Sequence, residues 1–176
     1  MSDESHHYDV LVVGSGNAAC SAALAALDQK ARVGILEKAS KRDRGGNSAL
    51  TGHLRFVFNG LEDIRPLVKN SSDAELRMLL ERLPHRTEAE SWDEIMRVTN
   101  NQSDQEMLQV HVTESLKTIH WLAAKGHVWV PGSRWSENIL NPNGGGYGLQ
   151  QRYFAMLEKA GVVFHYETAA TELIQD

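Results

Sequence analysis

Two glycines and a small residue lie near the start of the chain at a spacing that could hold a phosphate: Gly14, Gly16 and Ala19. Where a strand turns into a helix, the first glycine permits a tight bend and the second lets a pyrophosphate approach the backbone. The small third residue lets the helix pack closely on the strand. The phosphate then lies on N–H groups at the start of the helix, here Asn17 and Ala18 with Ala19. The pattern predicts a dinucleotide-binding turn.

An acidic residue, Glu37, follows this turn at about the twenty-residue distance expected for ribose recognition. Its carboxylate can accept hydrogen bonds from the hydroxyls of an adenosine ribose, and it would repel a 2′-phosphate. Two other interpretations stay open from these residues alone. Gly14 and Gly16 could form only a turn, with Glu37 as a solvated strand end. An NAD-binding Rossmann domain would also use the same glycines.

The elements around these residues have the order that such a site requires. Residues 9–13 are apolar and β-branched, which is typical of a strand buried within a parallel sheet. A helix rich in alanine is predicted to about residue 29, and a second apolar strand at 32–36 ends before Glu37. Strand, turn, helix and strand in about thirty residues make a βαβ unit. The sequence therefore predicts an α/β fold with a Rossmann-like βαβ domain.

The rest of the chain is predicted to be a helical insertion followed by a return to the sheet, within one domain. The βαβ unit and a glycine-rich loop occupy residues 1–60, the mainly helical insertion 61–146, and a helix with return strands 147–176. Helices are expected at 74–83 (ended by Pro84), 88–98, 104–125 and 147–160, an irregular connection at 127–146, and strands at 162–166 and 169–174.

Helix ends are predicted from residues that can satisfy free backbone groups. Thr87 with Glu90, and Ser103 with Glu106, have the spacing of a capping box, in which a hydroxyl and a carboxylate each accept an N–H of the first turn. Gly126 follows the longest helix and suits a left-handed C-terminal cap.

A second glycine loop carries a family resemblance. Glu37-Lys38, followed by Arg44-Gly45-Gly46-Asn47-Ser48, resembles the flavin-binding region of the fumarate reductase and succinate dehydrogenase flavoproteins. The resemblance implies FAD, because NAD binding requires no such second loop. It also implies that Gly45 and Gly46 approach FAD through their backbone, and that Asn47 and Ser48 offer hydrogen bonds near the flavin. The branch with covalent FAD has a histidine about where Asn47 stands, so we expect non-covalent FAD.

The resemblance continues to the end of the chain. Residues 144–148 resemble the glycine-rich entry to the family's next helix, and Ala169-Ala170 matches a backbone contact with adenine. The expected cofactor-binding residues are Gly14, Gly16, Asn17, Ala18, Ala19, Glu37, Lys38, Arg44, Gly45, Gly46, Asn47, Ser48, Gly52 and Ala170.

The implied activity is that of an FAD-dependent dehydrogenase or reductase acting on a di- or tricarboxylate. The runs 14–19 and 44–52 are most similar to a branch that oxidises a tricarboxylate to its unsaturated product. Electrons would then pass to a membrane-bound electron-transfer protein. Family members are more than twice as long, so we expect a truncated, N-terminal part of the fold, without its capping domain and without an assignable catalytic residue. An inactive or incomplete flavin-binding fragment is the alternative.

Composition excludes some other classes. The net charge of −5 with scattered cations gives no field for nucleic acid, and one cysteine makes no internal disulfide. No apolar run is long enough to span a membrane, so we expect a cytoplasmic protein, peripheral to the membrane only through a partner. The histidines lack the ligand spacing of a metal site, and none is expected. Cys20 is interpreted as a buried small residue, while His53 and Arg55 are candidates for the substrate side.

Overall fold

The computed structural model describes residues 7–82, 86–132 and 138–175. Its elements follow in the order β1 (Val10–Val13), α1 (Asn17–Asp28), β2 (Val33–Leu36), a 3-10 turn (Gly46–Leu50), α2 (Leu61–Ile64), a second 3-10 turn (Arg65–Leu67), α3 (Asp73–Arg82), α4 (Glu88–Val98), α5 (Gln105–Lys125), β3 (Trp129–Pro131), β4 (Leu140–Pro142), α6 (Gly145–Lys159) and β5 (Val163–His165). They form two units: a sheet unit, residues 1–51 and 144–176, and a helical unit, residues 52–143.

The sheet unit is built on a parallel sheet in the order β1, β2, β5. Val12 pairs with Ile35, and Ile35 with Phe164, so the strand from the end of the chain lies beside the second strand. This order is that of a mononucleotide-binding half of a Rossmann fold. The ring of Tyr8 lies against Gly34 of β2, 2.6 Å from where a Cβ would stand. The α/β prediction with a Rossmann-like βαβ unit is confirmed.

Small residues let the helices of the sheet unit approach closely. On α1, Cys20, Ala23 and Leu24 are buried. The hydroxyl groups of Ser21 on α1 and Tyr153 on α6 are 2.7 Å apart and hydrogen-bonded. Both helices therefore bury one face within the same unit, and the interpretation of Cys20 as a buried small residue is confirmed.

The helical unit has its own apolar core, in which α4 and α5 pack against Val57, a residue before α2. The core cluster consists of Val57, Leu108 and Val112 with the partly buried Trp92, Ile95 and Met96.

Within the described residues, the same unit contains two antiparallel pairings. Between β3 and β4, Val130 pairs with Asn141 in an antiparallel ladder. Phe58 and Arg86 form an isolated antiparallel bridge.

The predicted helix ends are confirmed in two cases and wrong in a third. The Thr87–Glu90 capping box at α4 is present in full, and Gly126 ends α5 with a left-handed φ of 114°. At α5 the cap is Asp104, whose carboxylate accepts the N–H of Met107, so the expected Ser103–Glu106 box is wrong. A carboxylate one residue later is the stronger acceptor for the helix's free N–H groups. The helix end expected at Pro84 lies outside the described residues.

Two strand predictions also need correction. Residues 127–146 were expected to be irregular, yet they contain β3 and β4, and α6 begins at Gly145. Residues 169–174 were expected to be a strand, but they are exposed and make no ladder in the part of the chain that the structure describes. Only Thr171 and Ile174 of this stretch are β-branched, and alanine and glutamate are depleted in strands, so its residues favour a strand only weakly.

Candidate cofactor site

Segments that are far apart in the sequence meet in one cavity of the sheet unit. Its volume is about 530 Å³, and it lies at the carboxyl ends of β1 and β2, where open parallel sheets bind ligands. We call it the sheet-unit cavity. Four stretches border it: the first glycine turn, the end of β2, the second glycine loop and the stretch after β5. Its lining is Val13, Gly14, Ser15, Gly16, Leu36, Glu37, Lys38, Ala39, Asp43, Gly46, Thr168, Ala169 and Ala170.

Two glycines border the cavity with an open cradle. Gly14 has φ of +89° and Gly46 has φ of +52°, and a Cβ built at either residue would meet no atom within 4 Å. The backbone at both positions is thus in a conformation that favours glycine, with free space beside it. By helix geometry, the N–H groups of Ala18 and Ala19 have no acceptor within α1. The cradle fits a pyrophosphate that lies on backbone groups.

Ser15 connects the two loops at the base of the cavity. Its hydroxyl donates a short hydrogen bond to Glu37 Oε2 and accepts the N–H of Gly45 at 3.1 Å. Glu37 Oε1 accepts the N–H of Ala39 at 2.8 Å, and both Ser15 and Glu37 are buried. These bonds fix the Glu37 carboxylate at the cavity edge, where each oxygen keeps a further lone pair. Ser15 was not predicted, although its place between the two glycines could have marked it.

Gly16 has a packing role beside its predicted phosphate role. A Cβ at Gly16 would lie 3.3 Å from Ser48 Oγ and 3.7 Å from the carbonyl oxygen of Gly45. The same Ser48 hydroxyl accepts the N–H of Asn17 at 3.0 Å. The second loop therefore contacts the first through Ser48, and a Cβ at Gly16 would force the Ser48 hydroxyl to shift by a few tenths of an ångström.

The third glycine run, at the start of α6, supports the second loop from another direction. The N–H of Gly146 donates to the carbonyl oxygen of Thr51 at 2.6 Å. A Cβ at Gly146 would overlap the carbonyl oxygens of Ser48 and Thr51. Gly144 and Gly145 have left-handed φ values of 77° and 62°. The run thus lets α6 begin directly against the 3-10 turn.

Arg44 does not line the sheet-unit cavity, although it was predicted to bind the cofactor. Its guanidinium lies 3.8 Å from the centroid of the Phe154 ring and donates to Glu158 Oε1 at 2.7 Å and to the Tyr166 hydroxyl. These bonds hold the pKa of the Glu158 carboxyl below its usual range. The Arg44 side chain therefore contacts Phe154 and Glu158 of α6 and Tyr166, the residue after β5.

The structure brings six of the other thirteen predicted residues to the cavity wall. Gly14, Gly16, Glu37, Lys38, Gly46 and Ala170 line it, and Gly45 and Ser48 lie directly behind it through the bonds above. Asn47, Ala18 and Ala19 are not among its lining residues in the described chain, and Gly52 belongs to the helical unit. Their roles stay predictions. Ala39, Asp43 and Thr168 line the cavity and were not predicted, because they flank the motifs without a distinctive pattern of their own.

The remaining candidates have ordinary contacts. Burial raises the pKa of the Cys20 thiol to about 12, and the side chain donates to the carbonyl oxygen of Ser15, so it is an inert core thiol. In the helical unit, Arg55 pairs with Glu94 at 3.3 Å, and His53 is hydrogen-bonded to Asn138. The expected substrate-side role of His53 and Arg55 stays a prediction.

Two searches of the described chain define what it does not contain. Across residues 7–82, 86–132 and 138–175, no three His, Cys, Asp or Glu side chains are grouped so that they could hold a metal ion. Within the same residues, none of the helices combines the length and the apolar character needed to cross a bilayer.

Comparison with known proteins points to one family. The model of the family described as DAO, FAD dependent oxidoreductase, matches residues 9–176. A search of curated proteins found no significant match.

Several solved structures are similar in fold. A flavocytochrome c3 fumarate reductase matches with a TM-score of 0.66 and 20% identity over 94% of this chain and 27% of its own. Sdh1 of Mycobacterium smegmatis matches with a TM-score of 0.65 and 15% identity over 97% of this chain and 29% of its own. A 3-ketosteroid-Δ4-(5α)-dehydrogenase of Rhodococcus jostii RHA1 matches with a TM-score of 0.57 and 19% identity over 95% and 39%. The chain spans between about a quarter and two fifths of the length of these structures.

Proposed function

The chain belongs to the FAD dependent oxidoreductase family, and from that premise we propose that it forms the cofactor-binding part of a dehydrogenase or reductase acting on a di- or tricarboxylate. The family makes FAD, rather than a nicotinamide, the cofactor. The observation that supports the cofactor's position is the sheet-unit cavity, at which four predicted segments meet. The first glycine turn, residues 36–46 and the stretch from Thr168 to Ala170 are well separated in sequence, so their meeting is not a consequence of one motif alone.

Each wall of the cavity has a distinct role in this proposal. Gly14 and Gly46 present open backbone to the pyrophosphate and the neighbouring ribityl chain. The Glu37 carboxylate, which is held by Ser15 and Ala39, would accept hydrogen bonds from the hydroxyls of the adenosine ribose. The backbone at Ala170 lies beside the adenine. FAD, when bound, supplies the hydride chemistry, and the protein supplies orientation and electrostatics. No proton-transfer residue is proposed among the described residues.

The substrate class rests on sequence similarity. The runs 14–19 and 44–52 resemble those of tricarballylate dehydrogenase, so we propose a tricarballylate-like carboxylate as the substrate. Fumarate reductase and succinate dehydrogenase proteins among the similar folds are compatible with a carboxylate. The electrons of the reduced flavin would leave through a membrane-bound redox protein.

The first experiment is a visible absorption spectrum of the purified chain, followed by acid precipitation. The expected result is a flavin spectrum and FAD in the supernatant, since Asn47 offers no nucleophile for a covalent link. Flavin that stays with the precipitate would contradict non-covalent binding. A folded, colourless chain that takes up NAD but not added FAD would contradict the cofactor itself.

A matched pair of glycine variants locates the site. Gly14→Ala places a Cβ at φ of +89° in the open cradle, and Gly161→Ala imposes the same kind of backbone strain at φ of +83°, also in open space. Gly161 belongs to the same unit but does not line the cavity. Loss of FAD from Gly14→Ala but not from Gly161→Ala is expected. Equal loss from both variants would mean that strain, and not the cradle, governs FAD binding.

The substrate proposal is tested separately by anaerobic mixing. Tricarballylate should bleach the oxidised flavin near its visible maximum, and succinate serves as the comparison substrate. A flavin-loaded chain that no carboxylate reduces, and that fumarate does not reoxidise after dithionite, would favour the inactive flavin-binding fragment.

A further inference from the structure

Arg44 is a buried cation beside the sheet-unit cavity that does not line it. Only 9% of its side chain is exposed, although it immediately precedes the glycines of the second loop. Its guanidinium lies over the Phe154 ring at 3.8 Å and is 5.6 Å from the ring centroids of both Phe164 and Tyr166. Its remaining partners are the Glu158 carboxylate and the Tyr166 hydroxyl.

These contacts connect two walls of the cavity. On one side Arg44 directly precedes Gly45, whose N–H donates to Ser15, and Gly45 is followed by Gly46, which lines the cavity. On the other side, Tyr166 is two residues before Thr168, the first residue of the cavity wall formed by Thr168, Ala169 and Ala170. The Thr168 N–H in turn donates to the Glu37 carbonyl oxygen at 3.0 Å. A shift of the guanidinium would therefore displace both walls.

A buried guanidinium holds its position strongly. A desolvated cation is stable only when its charge is paired and its donors are used, and here a carboxylate, a hydroxyl and an aromatic face supply both. Both hydrogen bonds come from Nη1, so the stacking on Phe154 is what distinguishes arginine from lysine, which has no planar face with which to stack. The site is therefore specific for arginine by geometry as well as by charge.

We propose that Arg44 is a positioning residue for the cofactor, which sets the distance between the Gly46 wall and the Thr168–Ala170 wall without touching FAD. The proposal rests on the proposed function, since it requires that the sheet-unit cavity binds FAD. It replaces the direct contact implied by the family resemblance with an action through Phe154, Glu158 and Tyr166.

The test compares the dissociation constants of FAD and of ADP for the wild-type chain, Arg44→Met and Arg44→Lys. Both variants are expected to raise the dissociation constants of FAD and ADP about tenfold or more, because each variant loses the stacked and paired guanidinium. A direct contact with the pyrophosphate predicts instead that Arg44→Lys, which keeps the charge, retains most of the affinity. Near wild-type affinity in Arg44→Lys would therefore overturn the proposal.

Lys41 provides the matched control. Its amino group contacts the same Glu158 oxygen at 3.5 Å, but 67% of its side chain is exposed and it has no ring contact. Lys41→Met removes one cation from Glu158 and is expected to leave the affinity for FAD unchanged. If Lys41→Met weakens FAD binding as much as Arg44→Met does, net charge near Glu158 explains the effect, and the positioning role is wrong.

The dependence on salt and the circular dichroism of the flavin separate positioning from contact and from general instability. Plots of log Kd against log salt concentration are expected to have the same slope in Arg44→Met and the wild type, while the visible circular dichroism of bound flavin changes shape. A reduced slope in Arg44→Met would show a direct phosphate contact and overturn the proposal.

If Arg44→Met does not fold, the variant Glu158→Gln tests the proposal instead. It leaves the rings in place and is expected to weaken FAD binding in the same direction as Arg44→Lys, with unchanged far-ultraviolet circular dichroism of the free protein. Wild-type affinity in a folded Glu158→Gln or Arg44→Lys would overturn the proposal. A wild-type chain that binds neither FAD nor ADP would instead show that the proposed function fails.

Discussion

Around the sheet-unit cavity, the contacts are made by backbone groups and small side chains, such as Ser15, Ser48 and Gly146. In the core of the helical unit, they are made by large apolar side chains, such as Leu108 and Trp92. The two regions therefore respond to opposite changes. Adding one carbon should damage the first region, whereas removing several carbons should damage the second, because backbone contacts leave no spare volume and large side chains leave a cavity when truncated.

The largest expected effect comes from the same truncation in each unit. Leu157 of α6 and Leu108 of α5 are both buried, and each change to alanine should cost about 3 kcal/mol of unfolding free energy. Leu157→Ala should also weaken FAD binding, because α6 supports the second glycine loop, whereas Leu108→Ala should leave FAD affinity unchanged. Urea unfolding and FAD titration of both variants test this. Equal losses of FAD affinity would break the distinction between the units.

The next effect is an alanine that destabilises a helix. In most helices a change from glycine to alanine gains about 1 kcal/mol. At Gly146 it should instead cost about 2 kcal/mol, because the new Cβ overlaps the carbonyl oxygens of Ser48 and Thr51. Gly60→Ala in the helical unit is the control, since a Cβ there meets nothing within 4 Å. A stabilised Gly146→Ala, measured by urea unfolding, would show that α6 does not need to lie so close to the 3-10 turn.

A pair of serines compares a buried and an exposed hydroxyl that each donate to a carboxylate. Ser15→Ala leaves buried groups of Glu37 and Gly45 without this partner and should cost about 2 kcal/mol. Ser40 donates to Asp43 at 2.8 Å on the surface, and Ser40→Ala should change the unfolding free energy by less than about 0.5 kcal/mol. Ser15→Ala should also weaken FAD binding. If the two variants are equally stable, Ser15 does not connect the loops as described.

The same contrast explains which features could be predicted from sequence. Where backbone conformation imposes a residue type, as at Gly14 and Gly46, the sequence identifies both the position and its reason. The βαβ order, the cavity segments and the Thr87 cap were predictable for this reason.

Features that depend on a distant partner were not predictable. Residues 169–174 were expected to be a strand, but a strand needs a neighbouring strand, and the described residues provide none there. Arg44 shows the same limit, because its motif suggested a cofactor contact while its partners, Phe154 and Glu158, lie more than a hundred residues away. Two local features were also not predicted: the Asp104 cap of α5, adjacent to Ser103, and the reciprocal bonds of Ser72 and Glu75 at α3.

The smallest expected effects are electrostatic, and they differ between the units in mechanism. In the sheet unit, the Arg32 side chain lowers the pKa of Asp9 from 3.8 to about 2. In the helical unit, hydrogen bonds from the backbone and side chain of Ser72 lower the pKa of Glu75. Since each folded pKa is below its unfolded value, each carboxylate stabilises the fold fully above the unfolded pKa. That contribution is lost as the pH falls through the folded pKa, for Asp9 through about 2.

Asp9→Asn and Glu75→Gln should therefore each lower the urea midpoint slightly at pH 7, and their differences from the wild type should shrink in acid. Salt distinguishes the two mechanisms. In about 1 M NaCl the Debye length falls to about 3 Å, so the effect of Asp9→Asn should decrease as its exposed ion pair is screened. The effect of Glu75→Gln should persist, because Ser72 carries no charge and its bonds of 2.8 and 2.9 Å to the Glu75 carboxylate are not an ion pair. If salt removes both effects equally, the Glu75 carboxylate acts through long-range charge. The surface ion pair and the helix cap would then stabilise this chain by the same mechanism.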